Sequence, residues 1–388
     1  MVQGNLSVHM EDSRFTEIKR IKKKEAPHPL HWFIKEDIFT EELFGFFSAE
    51  VNSYKTIASQ SYALFEKATS LYLERGNSFG IPSEMYDLIK YTWNNKEKHP
   101  FLIGRFDING GLDNLVAKTI EFNADTCSTF PETVLWQDLQ MQQLKGKTHF
   151  NELEQGLVNK LTEVRSKIPH ETATFLATSL GYIEDQLNCN IILDAAKKAG
   201  FTPRYADLPN VIFGDDGVFI QFGEEYEPVD VLFKMFPWDW IYNEEPDLLS
   251  DLSHLIRNDK VVVLNPPYTS LWQNKRFLAF ITDFFPNEVI AKTYNNNPNT
   301  ESWVEKPILG RIGENITIKN KQNTYQSKGD YKNQNTIYQE YLPLAKDLEN
   351  YYYQIGIFFS DKPLAINLRC QEQPIITEDA EFMSHYII

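Results

Sequence analysis

The sequence predicts a mixed chain of α/β and α+β character, with a helical N-terminal region, a central α/β stretch and a strand-rich C-terminal third. Three observations predict it. Apolar residues recur at helical spacing between Glu41 and Leu73. From Thr172 to Leu264, strand-like runs alternate with an amphipathic helical segment. After Ser302 most apolar runs are short or alternate with period two.

Residues 1–30 read as an extended arm ending at Pro27 and Pro29, and its basic cluster (Lys19, Arg20, Lys22, Lys23, Lys24) is expected to be solvated. Residues 36–93 are expected to be helical, punctuated by Gly80 and Pro82, with Ser83 able to cap the next helix. At 101–125 the period changes, and Asn109-Gly110-Gly111 marks a turn between strands at 101–108 and 119–125. Helix is expected at 131–144, and a polar helical stretch lies between His149 and Pro169. A strand at 172–180 precedes a helix at 183–198, which carries Ile183, Leu187, Ile191 and Ala195 on one face and is stopped by Gly200. Residues 211–221 contain a hairpin at Gly214-Asp215-Asp216-Gly217, and 261–264 is a short buried strand. Strands are expected at 302–308, 315–318, 336–341, 353–359 and 363–368. The polar stretches 295–299 and 320–335 read as surface loops, the second as a hairpin extension.

The 388 residues are enough for two or three packed subdomains. A net charge of −16 disfavours nucleic acid as a partner and is compatible with a cationic substrate. Cys127, Cys189 and Cys370 are odd in number and far apart, which implies a reducing compartment. The histidines form no HExxH and no His/Cys cluster, so a structural zinc is not expected. Without an apolar run of membrane-spanning length or a signal-peptide pattern, the expected location is cytoplasmic, with no membrane partner. A homo-oligomer is compatible with the sequence.

Two segments carry chemistry. In the first, Arg105 and Asp107 on one predicted strand face Glu121, Asn123 and Asp125 on the other. Strand period two puts each set on one side, so one surface would carry three acids, an amide and an arginine. Hard oxygen donors of this kind suit Mg²⁺, which takes carboxylates together with phosphate oxygens. Arg105 could stabilise charge on a phosphoryl group in transfer. The second segment is Lys306-Pro307-Ile308-Leu309-Gly310-Arg311-Ile312-Gly313. Its glycines would let backbone N–H groups approach phosphate oxygens, and Lys306 adds a point charge. Each pattern alone also fits a solvated sheet face or an ordinary hairpin loop. The Gly146-Lys147-Thr148 tripeptide is no Walker loop, because Met141 stands where the earlier glycine is required.

In order and spacing these segments resemble the glutathionylspermidine synthase family, in its C-terminal ATP-grasp synthetase module. The resemblance runs from about residue 30 to the C-terminus. It rests on Arg105-Phe106-Asp107, Glu121-Phe122-Asn123-Ala124-Asp125, Asn274-Lys275, the Lys306–Gly313 segment, Tyr338-Gln339-Glu340, Ile366-Asn367-Leu368-Arg369 and the stretch from Leu232 to Trp240. It implies an ATP-grasp fold with a pre-ATP-grasp-like α/β subdomain. The chain would then divide into an arm (1–30), a helical region with a metal-binding hairpin (31–165, hairpin 101–128), an α/β substrate subdomain (166–270) and an ATP-binding β-rich subdomain (271–388). The resemblance further implies that Asp107, Glu121 and Asn123 hold Mg²⁺ and that Arg105 steadies the phosphoryl and acyl phosphate. ATP would be bound by Lys275, Lys306, Gly310, Gly313, Gln339 and Glu340. Thr126, Ser128, Arg311 and Arg369 would bind a peptide or other carboxylate substrate, and Glu184 and Asp185 the amine. The implied activity is ATP-dependent amide-bond formation through an acyl phosphate. The residues before the resemblance begins are too few for the family's amidase domain. The alternative is an ATP-binding protein of the same fold with an interaction or kinase-like role.

Overall fold

The computed structural model describes residues 12–388. Its central element is the predicted hairpin. Strands Gly104–Asn109 and Lys118–Asn123 pair antiparallel, with Arg105 opposite Asn123, Phe106 opposite Phe122 and Asp107 opposite Glu121. Alternation sends Phe106 and Phe122 to one side, where their rings stack with centroids 3.8 Å apart. Phe65 of the long helix Ser48–Arg75 meets Phe122 edge-on at 5.1 Å, and Trp272 stacks on it at 5.7 Å. This packing fixes the register, because a one-residue slip would drive the charged side chains into the aromatic core. The turn requires glycine: Gly110 has φ 79°, and a Cβ there would lie 2.1 Å from the Val116 carbonyl oxygen.

The hairpin belongs to a six-stranded sheet. Tyr352–Phe359 pairs antiparallel with Gly104–Asn109, Pro363–Gln371 with Tyr352–Phe359, and Glu381–Met383 with Pro363–Gln371, while Ala345–Lys346 pairs with Tyr352–Phe359. Sheet pairing thus ties the acidic hairpin directly to the C-terminal third. A four-stranded parallel sheet runs in the order Val262–Leu264, Val231–Lys234, Thr174–Ser179, Thr202–Asp207. The helix Ile183–Lys198 makes the crossover between its last two strands and buries Leu187, Ile191 and Ala195. Ile183, expected on that face, is exposed in the first turn. A five-stranded antiparallel sheet runs Thr293–Tyr294, Thr336–Glu340, Trp303–Pro307, Thr317–Lys319, Thr324–Gln326, so the polar stretch after residue 320 is indeed a hairpin extension. Val211–Gly214, Gly217–Phe222 and Glu225–Val229 form a meander, turning where the 214–217 pattern predicts.

Several expectations are corrected. Residues 1–11 of the predicted arm lie outside the described residues. The rest is docked: Phe15–Glu17 pairs with Glu42–Phe46, which pairs in turn with His385–Ile387. Arg14 is buried against Glu50, donates to the Gly45 carbonyl at 3.0 Å and lies 4.7 Å over the Phe44 ring. The basic cluster that follows is exposed, as expected. The strand Glu42–Phe46 interrupts the predicted 36–93 helical region; it is too short to register between two helical patterns. Ser83 is the first residue of the helix Ser83–Asn94 and makes no capping hydrogen bond. The helices Trp238–Glu244, Pro246–Arg257, Thr269–Gln273 and Arg276–Phe284 were not expected. Thr269–Gln273 is buried throughout, so it lacks the polar face that a periodicity argument needs. No helix of the described residues is long and apolar enough to cross a membrane.

Candidate active site

The hairpin face opposite the phenylalanines is a polar network. The Arg105 guanidinium donates to both Asp107 oxygens, Nε to Oδ1 at 2.7 Å and Nη2 to Oδ2 at 3.2 Å. Burial works against the Arg105 charge, but the adjacent Asp107 carboxylate outweighs it and holds the guanidinium above its ordinary pKa. Asn123 Nδ2 donates to Asp107 Oδ2 at 3.0 Å. Arg105 Nη1 also reaches the Ser128 carbonyl at 3.4 Å and Thr129 Oγ1 at 3.3 Å. The loop after the hairpin thus closes back over it, through a Thr129 held at φ 72°, where a β-branched residue is strained.

Two lysines face this network. Lys275 follows the helix Thr269–Gln273; its Nζ lies 3.0 Å from Glu121 Oε1 and donates to the Gly310 carbonyl at 2.6 Å. Lys306 comes from the strand Trp303–Pro307 and donates to Gln339 Oε1 at 2.9 Å. Burial pushes the Lys306 ammonium down to about 8; Glu121 and Asp107 oppose the shift and Lys275 adds to it. Gln339 Nε2 donates to the Ile120 carbonyl and to Thr293 Oγ1. Both ends of that amide are therefore engaged by protein, and Gln339 orients Lys306. The Glu340 carboxylate accepts from Lys118 Nζ and from the Lys292 N–H, each at 2.8 Å.

The glycine loop follows Lys306. Gly313 has φ 73°, and a Cβ there would lie 2.3 Å from the Ile376 carbonyl oxygen. Arg311, expected to meet a substrate carboxylate, already pairs through both terminal nitrogens with Asp239, in the first turn of the helix Trp238–Glu244. Burial opposes the Arg311 charge and Asp239 holds it, leaving the guanidinium above its ordinary pKa. Arg369 donates to the Thr377 carbonyl. Burial and then Arg105 lower its pKa to about 10.

The acidic hairpin face, both lysines, the glycine loop, Gln339, Glu340 and Arg369 line one cleft of ≈ 200 Å³, together with Thr126, Cys127, Ser128 and Gln273. Val304, Ile316, Ile318, Leu342, Leu344 and Ile375 give it an apolar wall. Of the residues singled out from sequence, Glu184 and Asp185 do not line it. They lie in the first turn of Ile183–Lys198, where burial and Glu184 push Asp185 up to about 6. Asp125 also departs from its expected place. The strand ends at Asn123, and Asp125 turns into the core, where it meets Lys234 Nζ at 2.7 Å and the Trp238 N–H at 2.6 Å.

Sequence reading missed three groups. Gln273 lies two residues before a recognised lysine, and Asp239 lies inside the familiar 232–240 stretch. Glu132 is buried, its Oε2 has no hydrogen-bond partner, and burial pushes it up to about 8. Nothing in the local pattern marks it.

Among the described residues no group of three or more His, Cys, Asp or Glu side chains could hold a metal ion. Asp107, Glu121 and Asn123 are two carboxylates and an amide. That set is too small for an all-protein cage and fits a hard cation that brings phosphate oxygens of its own.

The mixed α/β fold is shared with a glutathione synthetase-like protein. A glutathione synthetase-like effector from Globodera pallida, in its apo form, superposes with a TM-score of 0.55 at 10% identity, covering 93% of this chain and 95% of that one. The chain itself belongs to the glutathionylspermidine synthase pre-ATP-grasp family, whose model matches residues 22–388, and that is a family of ligases. A Haemophilus influenzae protein assigned as an acid–amine ligase is 24% identical over 364 residues, 89% of each chain. Trypanothione synthetase of Crithidia fasciculata is 24% identical over 331 residues, 77% of this chain and 49% of that protein, so the match spans about half its length.

Proposed function

We propose that the cleft is the site of an ATP-dependent carboxylate–amine ligase of ATP-grasp type, working through an acyl phosphate. The observation that carries this reading is the opposition of the Arg105/Asp107/Glu121/Asn123 face to Lys275 and Lys306 across one cleft. The names of the relatives support the acid–amine chemistry, and the ligase family supports turnover rather than binding alone.

In this reading Lys275, Lys306 and the Gly310–Gly313 backbone bind the ATP phosphates, and the apolar wall beside Glu340 takes the base. Asp107, Glu121 and Asn123 would hold Mg²⁺, which supplies charge neutralisation at the phosphates when bound. Thr126, Ser128, Arg311 and Arg369 orient the acid. Its carboxylate oxygen attacks the γ-phosphorus, the bond to ADP breaks, and Arg105 steadies the charge on the phosphoryl in flight. The amine nitrogen then attacks the activated carbonyl. The C–O bond to phosphate breaks, and the nitrogen loses a proton as the amide forms. Glu184 and Asp185 are the acids assigned to the amine, and the net charge of −16 accords with a cationic one such as a polyamine. Catalysis is positioning and charge complementarity, with no protein nucleophile.

The test is ADP release from Mg–ATP with pooled peptides and amines, with product mass read by mass spectrometry. The ligase reading requires release that depends on both an acid and an amine, with a product mass equal to their sum less water. Tight ATP binding without such release would favour the interaction role. Phosphorylated acid accumulating without an amine requirement would favour the kinase-like one.

A further inference from the structure

The amide of Gln273 is held in one sense by a donor that cannot be reversed. The Asp125 backbone N–H points at Gln273 Oε1 at 3.3 Å. Gln273 Nε2 is therefore turned toward Asn123, whose Oδ1 it meets at 3.4 Å. Asn123 Nδ2 is then turned to Asp107 Oδ2 at 3.0 Å, and Asp107 is in turn forked by Arg105. Each amide sense follows from the one before, and the chain starts at a main-chain group. Gln273 is buried, at 4% exposure, and it lines the same cleft. Reversing the Asn123 amide would set its NH₂ against the Gln273 NH₂ and its oxygen against the Asp107 carboxylate. Both contacts are repulsive.

We infer that Gln273 is a positioning residue that fixes which atom of Asn123 is available to a cation, holding Oδ1 in place as the ligand. The inference rests on the metal assignment proposed above and goes a step beyond it. An asparagine can ligate only through its oxygen, and one lone pair of Oδ1 remains after the Gln273 hydrogen bond. Partners that orient a ligand in this way typically change metal affinity by about 10–100-fold. Gln273 also ends the helix after which Lys275 reaches Gly310, so one segment sets both the amide and a facing lysine.

The experiment is a Mn²⁺ titration of the full chain with a non-hydrolysable ATP analogue, followed by electron paramagnetic resonance of free Mn²⁺. Gln273→Met, similar in length but without an amide, should weaken Mn²⁺ binding on the order of tenfold. Asn123→Asp presents an oxygen whichever way it turns, so adding Gln273→Met to Asn123→Asp should change affinity little. Equal losses in the two backgrounds would make Gln273 a packing residue and overturn the inference, as would unchanged affinity in the single variant. Gln273→Ala serves in the same cycle if the methionine variant does not fold, which its melting temperature without ligand shows. If Glu121→Gln leaves Mn²⁺ affinity intact, the metal assignment itself fails, a result distinct from failure of the Gln273 inference.

Discussion

Lys306 donates to the Gln339 amide oxygen at 2.9 Å, and the same amide donates onward to the Ile120 carbonyl. The ammonium is thus aimed by a neutral group. Burial has already lowered its pKa to about 8. A buried cation without a tight counter-ion is poised to receive an anion.

Nucleotide affinity should therefore depend on pH through Lys306. Anionic phosphate prefers the protonated form, so affinity should be flat below about pH 8 and fall above it. Calorimetric titration of an ATP analogue from pH 6.5 to 9.5 reads this, and Lys306→Met should lose affinity by about tenfold or more and show no inflection. The stability effect has the opposite sign. Between pH 8 and the ordinary value of 10.5 the unfolded chain holds a proton that folded Lys306 has lost, so its contribution to stability rises across that window. Unchanged nucleotide affinity in Lys306→Met would remove it from the phosphate site.

Arg105→Lys should separate binding from turnover. The lysine keeps the charge but cannot fork onto both Asp107 oxygens. Turnover should fall by about 10²–10³-fold, the usual loss for a donor that stabilises transition-state charge. Nucleotide affinity should change far less. Comparing ADP release with analogue binding checks the split, and equal losses in both would make Arg105 a ground-state ligand.

How far the sequence was legible follows from which contacts are local. The acidic hairpin could be read because alternation and the Asn109-Gly110-Gly111 turn set its faces within a short stretch. The bounds of the helix 183–198 could be read because its apolar stripe and the Gly200 stop are local too, although Ile183 at its start is exposed. Asp125 could not: the strand stops two residues earlier, and its partner Lys234 comes from another sheet. The Arg311–Asp239 pair could not be read either, because the two residues are far apart in sequence. The short strand Glu42–Phe46 exists through pairing with Phe15–Glu17 and His385–Ile387, which no local pattern announces.

The Asp125–Lys234 pair is fully buried, and breaking it should be costly. Asp125→Ala would leave the Lys234 ammonium with the Phe236 carbonyl and the face of Trp238. Removing one partner of such a pair typically costs about 3–5 kcal/mol. Part of the loss should be regained in Asp125→Ala with Lys234→Met, because the stranded charge is gone. Chemical denaturation of the single and double variants measures both, and a single variant as stable as the parent would contradict the burial of the pair.

Glu132 should make the fold less stable as pH rises toward 8. It begins the π-helical turn Glu132–Trp136, its Oε2 has no hydrogen-bond partner, and burial raises its pKa to about 8, with Glu184 adding and Arg369 and Arg105 opposing. The folded chain therefore keeps a proton that the unfolded chain gives up near the ordinary value of 4.5. From there to about pH 8 the native state binds more protons than the unfolded state, so stability falls as pH rises. Glu132→Gln places a neutral group of the same shape there and removes that dependence. The variant should match the parent near pH 4.5 and exceed it by pH 8, by an amount on the order of a few kcal/mol. Denaturation midpoints at pH 5, 6.5 and 8 provide the measurement. A variant that is less stable than the parent at pH 8 would mean that Glu132 is ionised in the native state and held by Arg369 or Arg105, so that its charge supports the cleft.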